Sequence, residues 1–454
     1  MGTPIDLSTL TESEKDALIL TLWARLDAAL ARITELETRL AGLTKPPKTP
    51  DNSSTPPAKA PKPDRSVLNA PRKRRGRPGT ARALHENPDR TVQAHVNACP
   101  ACQTAFPAEA QTPQSVYDRI ELPPVRPHVT RVQLFGGRCP CCAVRCIAPA
   151  PEGLEPGSPF GRSIDAVVIY LHYTHAIGFE RLRAVMREMF GLSISEGALS
   201  NILGRAQAPL AARAAVIANE LRTARVVCSD ETSARVAGKT WWEWVFISKT
   251  AALHLIRPSR GLVVPAEVFG DTRPEIWVSD ALAAQRGHAE RWQMCLAHLL
   301  RDTQYAIDCG DTAFAAPFKL WLLRALLIGK RRDTLQDSTL RQYDYDLNRR
   351  LNRIMTAVPH GRDGEKLRRR VGRDRAHLTV FMTDRDVPAT NNISERHLRP
   401  SVIFRKVTNG FRAEWGAHTY AAFRSVVSTA KLNGQTALDA IRAALGGGIA
   451  ACPG

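Results

Sequence analysis

Apolar residues Ile19, Leu22, Leu26, Ala29, Ile33, Leu36, Leu40 and Leu43 recur at alternating intervals of three and four, the seam of an amphipathic helix. Thr11 and Glu14 form a capping box before it, in which each side chain satisfies an orphan amide of the first turn. One helix is therefore predicted over 11–43, filling a segment 1–44, with Trp23 beside the seam and Glu35 placed to pair with Arg39 one turn on. The opposite face is polar, so the seam suits either a coiled coil with a second copy or packing on its own domain.

The pattern then stops. Residues 45–95 lack apolar periodicity and are crowded with proline, lysine and serine, which predicts a disordered basic linker. Alternation of period two returns at 117–122 and 129–135, with Pro123, Pro124 and Pro127 between, as in a β-hairpin inside a small module over 96–150. Helical spacing governs 159–222. There an amphipathic helix (179–190), a turn at 191–194 and a second helix (195–206) have the spacing of a helix-turn-helix.

Strand patterns follow at 225–229, 240–249, 252–257 and 276–279, then a helix over 288–303. Helices at 315–330, 341–356 and 364–373 make an α-helical insertion over about 304–377, and helices at 415–432 and 436–445 close the chain. The fold class predicted is multidomain α/β: a mixed-sheet core over 223–412 carrying that insertion, followed by C-terminal helices over 413–454.

At 454 residues, two to four folding units are expected, and a hydrophobic fraction of 44% is enough for real cores. A net charge of +19, from 63 Lys+Arg against 44 Asp+Glu, favours polyanionic partners. That balance alone also fits ribosomal or membrane-surface proteins. Residues 1–20 lack the basic n-region and cleavage site of a signal peptide, and no long charge-free stretch reads as a membrane span. A soluble protein in a reducing, cytoplasmic compartment is expected, since the cysteines cluster as for a metal site rather than a disulfide framework.

Cys99-x₂-Cys102 and Cys139-x₂-Cys142 are two thiolate knuckles, which suit a closed tetrahedral structural zinc in a zinc-ribbon-like module. Cys141 and Cys146 are spare sulfurs that leave the second pair open. In the linker, Arg74, Arg75 and Arg77 surround Arg75-Gly76-Arg77-Pro78, an AT-hook-like segment suited to a narrow minor groove. Asp230 and Asp280 each end a predicted strand, and Glu395 sits in a capped helix start. Three carboxylates at element ends on a basic chain suggest a Mg²⁺ (or Mn²⁺) site facing a phosphodiester backbone. Among competitors, Glu231 should point the other way along its strand, and Asp271 lies in a turn beside Gly270.

The wording around those acids is more specific than the acids. The block 391–400, followed by Arg405-Lys406 and Gly410-Phe411-Arg412, closely resembles the C-terminal signature of the insertion-sequence 66 family of transposases. The blocks 229–232 and 295–299 resemble that family's other core blocks, and the leading helix, linker and cysteine cluster follow its order. The resemblance implies an RNase H-like core in which Asp230, Asp280 and Glu395 are the catalytic metal ligands. It implies supporting roles for His298, Asn392, Arg396 and Arg399, and Arg405 and Lys406 are taken as DNA contacts. It also implies a Mg-dependent DDE transposase that binds its element's terminal inverted repeats, cuts a strand and joins it to target DNA. The expected partners are double-stranded DNA, a second copy of the chain and small accessory proteins of the same element, in a bacterial cytoplasm at the nucleoid. A nuclease of the same fold without strand transfer, or a non-catalytic zinc-containing DNA-binding regulator, are the alternatives.

Overall fold

In the computed structural model, which describes residues 11–43, 45–53 and 82–446, the predicted capping box forms. The Thr11 amide donates to Glu14 Oε2 (2.8 Å) and the Glu14 amide to Thr11 Oγ1 (3.4 Å), and helix α1 runs Glu12–Leu43. Glu35 pairs with Arg32 at 2.5 Å. Ile19, Leu22, Leu26 and Ile33 are each more than half exposed, so the seam packs on nothing in its own chain among the described residues.

Part of the linker is docked rather than solvated. Asn52 is buried; its Oδ1 accepts from the Thr49 amide (2.7 Å), and its Nδ2 donates to Pro47 O (3.1 Å) and Asp308 Oδ2 (2.8 Å). Lys45 reaches Asp363 at 3.9 Å. The amide of Asn52 satisfies the turn and holds it to the core at once. The AT-hook-like arginines lie outside the described residues.

The described chain forms two units, one of 82–157 and 179–196, the other of 11–43, 45–53, 158–178 and 197–446. The cysteine-bearing unit holds one short antiparallel pair, β1 (Gly136–Arg138) with β2 (Arg145–Ile147). The hairpin expected over 117–135 does not form: those residues have no ladder, and Val116, Tyr117, Leu122, Val129 and Phe135 are exposed. Three prolines remove ladder donors where the strands would meet. Pairing goes instead to the knuckles, at β1–β2 and at a bridge between Ala98 and Ala105.

Helix α2 (Arg162–Ile169) continues into one turn of π-helix at Tyr170–Thr174, and α3 (Phe179–Phe190) follows. α4 (Glu196–Arg222) is far longer than the second helix expected, continuing through Pro209. Five strands then build a mixed α/β core: β3 (Val226–Val236), β4 (Lys239–Ile247), β5 (Ala252–Arg257), β6 (Ile276–Ser279) and β7 (Arg291–Met294), with α5 (Val263–Phe269) after β5. The order is β5-β4-β3-β6-β7. β3 pairs antiparallel with β4 and parallel with β6, and β6 parallel with β7. β7 corrects the sequence reading, which gave 288–303 wholly to helix. Its four residues include buried Gln293, which holds Leu378 O (3.3 Å) and accepts from the Phe381 amide (3.0 Å). A polar residue that is buried by such pairing looks like a solvent-facing one in sequence.

α6 (Leu296–Asp308) leads into the insertion, α7 (Ala315–Arg331), α8 (Asp337–Met355) and α9 (Gly361–Arg373), and then into short α10 (Val380–Thr383). α11 (Asn392–Thr408), α12 (Glu414–Leu432) and α13 (Ala437–Ala444) complete the unit. α12 seals the β5 edge with hydroxyls one turn apart: the Ala252 amide donates to Thr429 Oγ1 (3.0 Å) and the His254 amide to Ser425 Oγ (2.8 Å). An open row of strand amides is thereby satisfied without another strand. No helix among the described residues is long and apolar enough to cross a membrane.

Candidate active site

The site lies where the parallel pairing of β3 with β6 ends; Asp280 follows β6 directly, but Asp230, expected to end its strand, lies inside β3, which runs on to Val236 against β4. Cys228 stands opposite Val278 in the last register pair, so Asp230 and Asp280 lie equally far beyond it, with the same pleat parity. α11 brings the third acid. Its N-cap Asn391 is fully buried: Nδ2 donates to Ser229 O (2.7 Å), its backbone amide to Cys295 Sγ (3.1 Å), and its Oδ1 accepts from Ser394 Oγ (2.7 Å). Asn391 thus stitches the Asp230 strand and the start of α11 through its side chain, and the start of α6 through its backbone amide. Deeper in α11, Ser401 Oγ donates to Glu243 Oε1 (2.7 Å) and Arg405 Nη2 to Thr232 Oγ1 (3.0 Å). Beyond α11, Gly410 (φ +99°) lies so close to Arg235 that a Cβ would come within 2.5 Å of its carbonyl oxygen, which only glycine allows.

Burial raises the carboxyl of Asp230 well above the usual carboxylate range, and the charges of Glu231, Asp280 and Glu395 push it further. The three predicted acids are therefore within electrostatic reach of one another. Glu231 points the other way, as alternation predicts: it shares its face with Trp242 and Trp244, whereas α11 packs on the Asp230 face through Thr232 and Glu243. Burial and then the charge of Asp280 raise the Glu231 carboxyl, while Gln285 Nε2 (2.8 Å) and Arg260 Nη2 (2.8 Å) hold it. Arg260 also lies over the Trp242 ring, 4.4 Å from its centroid. Neither Asp230 nor Asp280 has an ion-pair partner among the described residues; Asp230 Oδ1 accepts from the Glu231 amide (2.9 Å) and Asp280 Oδ1 from the Leu282 amide (2.9 Å).

Glu395 has two partners, both on α6. Its Oε1 lies 3.2 Å from Arg301 Nη2 and 3.8 Å from His298 Nε2. His298 Nδ1 faces Cys295 Sγ at 3.4 Å, and burial and then the charge of Arg301 lower the imidazole's pKa, which keeps it neutral. Below the acids the thiols of Cys228 and Cys295 are pushed up by burial to about 12 and about 11. Among the described residues, no three His, Cys, Asp or Glu side chains are gathered closely enough to hold an ion. The donor chemistry nonetheless fits a hard divalent cation, because Asp230, Asp280 and Glu395 offer only carboxylate oxygens and, among the described residues, one arginine, Arg301 on Glu395, is paired with them.

The remaining predicted residues divide by helix face. Asn392, Arg396, Arg399 and Lys406 lie on the exposed face of α11, with Ile403 among them. Arg399 is not the partner of Glu395; Arg301 is. Arg405, expected to touch DNA, shares the inward face with Ser394, Leu398 and Ser401, and burial lowers its pKa. Sequence reading missed Asn391 and Arg301. Arg301 stands three residues after His298, the spacing of one helical face, and that was the available signal.

Asn391→Ala is expected to cost about 1–3 kcal/mol by leaving the buried Ser229 carbonyl unpaired. Asn392→Ala should change stability by less than about 0.5 kcal/mol. Denaturant midpoints of the two variants test this, and equal losses would contradict the assignment.

In the second unit the two knuckles repeat one geometry. The Gln103 amide donates to Cys99 O (2.8 Å) and the Cys99 amide to Thr104 O (2.9 Å); the Ala143 amide donates to Cys139 O (2.9 Å) and the Cys139 amide to Val144 O (2.8 Å). Gln103 and Ala143 both take positive φ, 60° and 58°. Cys142 is thus the counterpart of Cys102, and Cys141 that of Ala101. The Thr104 hydroxyl, 3.3 Å from Cys102 Sγ, leads the interactions that hold that thiol down to about 7.

Residues 157–419 match the family described as Transposase IS66 family. The chain is also 26% identical over 420 residues to the uncharacterized protein y4qI of Sinorhizobium fredii (strain NBRC 101917 / NGR234), an alignment covering 81% of this chain and 74% of that protein.

Proposed function

The chain belongs to the IS66 family of transposases, and on that premise we propose that it is a DDE transposase that binds its element's terminal inverted repeats, cuts DNA there and transfers the strand. The observation that supports the reading is that Asp280 and Glu395 both lie within electrostatic reach of Asp230, just past the end of the β3–β6 pairing, in a chain of net charge +19. The strand order β5-β4-β3-β6-β7, with two antiparallel pairs followed by two parallel ones, supports the RNase H-like reading of the core.

Asp230, Asp280 and Glu395 would hold Mg²⁺ or Mn²⁺, which when bound activates the attacking oxygen and stabilises the leaving one. The protein's own contribution is placement. β3 and β6 fix two acids, and Asn391 fixes α11 and so the third. Neutral His298 offers a hydrogen bond rather than a charge beside Glu395. Arg396, Arg399 and Lys406 carry the DNA backbone along the exposed face of α11, with Asn392 beside the acid. The AT-hook-like Arg74, Arg75 and Arg77 add minor-groove contact. Arg405 stays in the core. Incubating the protein with DNA carrying element ends and Mg²⁺ tests the reading. Joined products support it, cut products alone reduce it to a nuclease, and neither product, with binding retained, leaves a DNA-binding regulator.

The second unit would carry a structural zinc on Cys99, Cys102, Cys139 and Cys142. The repeated knuckle geometry supports the choice of Cys142 rather than Cys141. Metal analysis of the purified protein should find about one zinc per chain, lost in Cys142→Ser and kept in Cys141→Ser. The reverse pattern would move the ligand, and no zinc in the wild type would remove the site.

A further inference from the structure

We propose that Arg301 is a placeholder cation: it neutralises Glu395 until a divalent ion displaces it, so the protein competes internally for its own third metal ligand. This rests on the reading of Asp230, Asp280 and Glu395 as metal ligands. Two of the acids that act on Asp230, Glu231 and Glu395, have arginine partners. The two pairs are built differently. Glu231 is 1% exposed, gripped through Oε1 by Arg260 Nε (3.1 Å) and Nη2 (2.8 Å) and through Oε2 by Gln285 (2.8 Å). With both oxygens taken, that pair is a fixed brace.

Glu395 instead meets Arg301 through one nitrogen at 3.2 Å, and its side chain is 36% and that of Arg301 26% exposed. The only other neighbour of the same Oε1 is His298, whose Nδ1 end is held by Cys295. Arg301 is therefore the one cation on this carboxylate among the described residues, and it is bound loosely enough to exchange. The next residue along α6, Asp302, is committed to Arg370 at 2.6 Å. A single-contact, half-solvated ion pair is weak, whereas a divalent ion shared with Asp230 and Asp280 gains from three carboxylates together. Exchange thus runs toward the ion, and it frees a guanidinium beside the place where a phosphodiester must lie.

The test is Mg²⁺ titration of DNA-free protein followed by thermal melting, for wild type, Arg301→Ala, Arg301→Gln, Arg301→Lys and Asp230→Ala. Wild type should be stabilised by Mg²⁺ and Asp230→Ala should not. Arg301→Ala and Arg301→Gln should melt lower than wild type without Mg²⁺. Both should also reach half-saturation at about three- to tenfold lower Mg²⁺, as follows if Arg301 leaves Glu395 free only a tenth to a third of the time. Arg301→Lys should lie between. Unchanged or weaker Mg²⁺ response in both neutral variants, with Asp230→Ala still silent, overturns the placeholder and leaves the metal site standing. An identical response in wild type and Asp230→Ala overturns the metal site and the placeholder with it.

Discussion

Asp230→Asn is expected to abolish DNA cleavage while making the metal-free protein more stable. The two effects have one cause. Burial and three neighbouring acids raise the Asp230 carboxyl well above the usual range. An acid whose folded pKa lies above its unfolded one is penalised by folding at every pH above the unfolded value, so at neutral pH the charge destabilises the fold. The isosteric amide removes that cost and keeps the shape. It also removes the best-placed anionic ligand, and cleavage should fall at least about 10³-fold, beyond the 10–100-fold typical of residues that only support a metal ligand. Binding to end DNA should stay within about threefold, because the phosphate contacts assigned to α11 are untouched. A melting curve without Mg²⁺, a gel assay of cleavage and a binding titration give the three readings. Cleavage that survives in Asp230→Asn would end the catalytic assignment.

Deleting residues 1–44 should halve the mass measured by light scattering. α1 presents Ile19, Leu22, Leu26, Leu30, Ile33 and Leu36 about half exposed or more along a single helix, a larger apolar stripe than a monomer normally leaves in water. A second copy of α1 covers that stripe with a matching three-four seam. A transposase must hold two element ends together, so the deletion should weaken paired-end complexes more than single-end binding. A truncated protein that keeps its mass and still pairs ends would place dimerisation elsewhere.

Much of this architecture is written in local pattern. The capping box at Thr11 and Glu14, strands β4, β5 and β6, and helices α7, α9, α12 and α13 come from periodicity and turn residues that act over a few positions. What was not legible depends on partners distant in sequence. β7 reads as helix because Gln293 looks solvent-facing until Phe381 and Leu378 are beside it. That Glu231 faces away from Asp230 is legible in strand alternation, but Arg260 and Gln285, which hold it, are not. Arg405 illustrates a different failure. Its helical phase with Ser394, Leu398 and Ser401 was present in the sequence, but its charge drew the eye to DNA. Asn391 and Arg301 acquire meaning only when α6, α11 and β3 meet.

The docked turn at 45–53 has a mechanical consequence. α1 ends at Leu43 and Lys45 already touches Asp363, so a single residue separates the helix from an anchor on the insertion. The other anchor, Asp308, is the last residue of α6. α6 has 13 residues, a strut about 20 Å long, with His298 in the opposite terminal turn and Arg301 midway along it. A partner gripping α1 is therefore not on a slack leash, whose effective concentration would be diluted over the whole volume a free chain can sweep. It is tied, within a few residues, to the same rigid rod that presents the groups facing Glu395, so torque applied at Asp308 is carried along α6 toward Arg301 and His298.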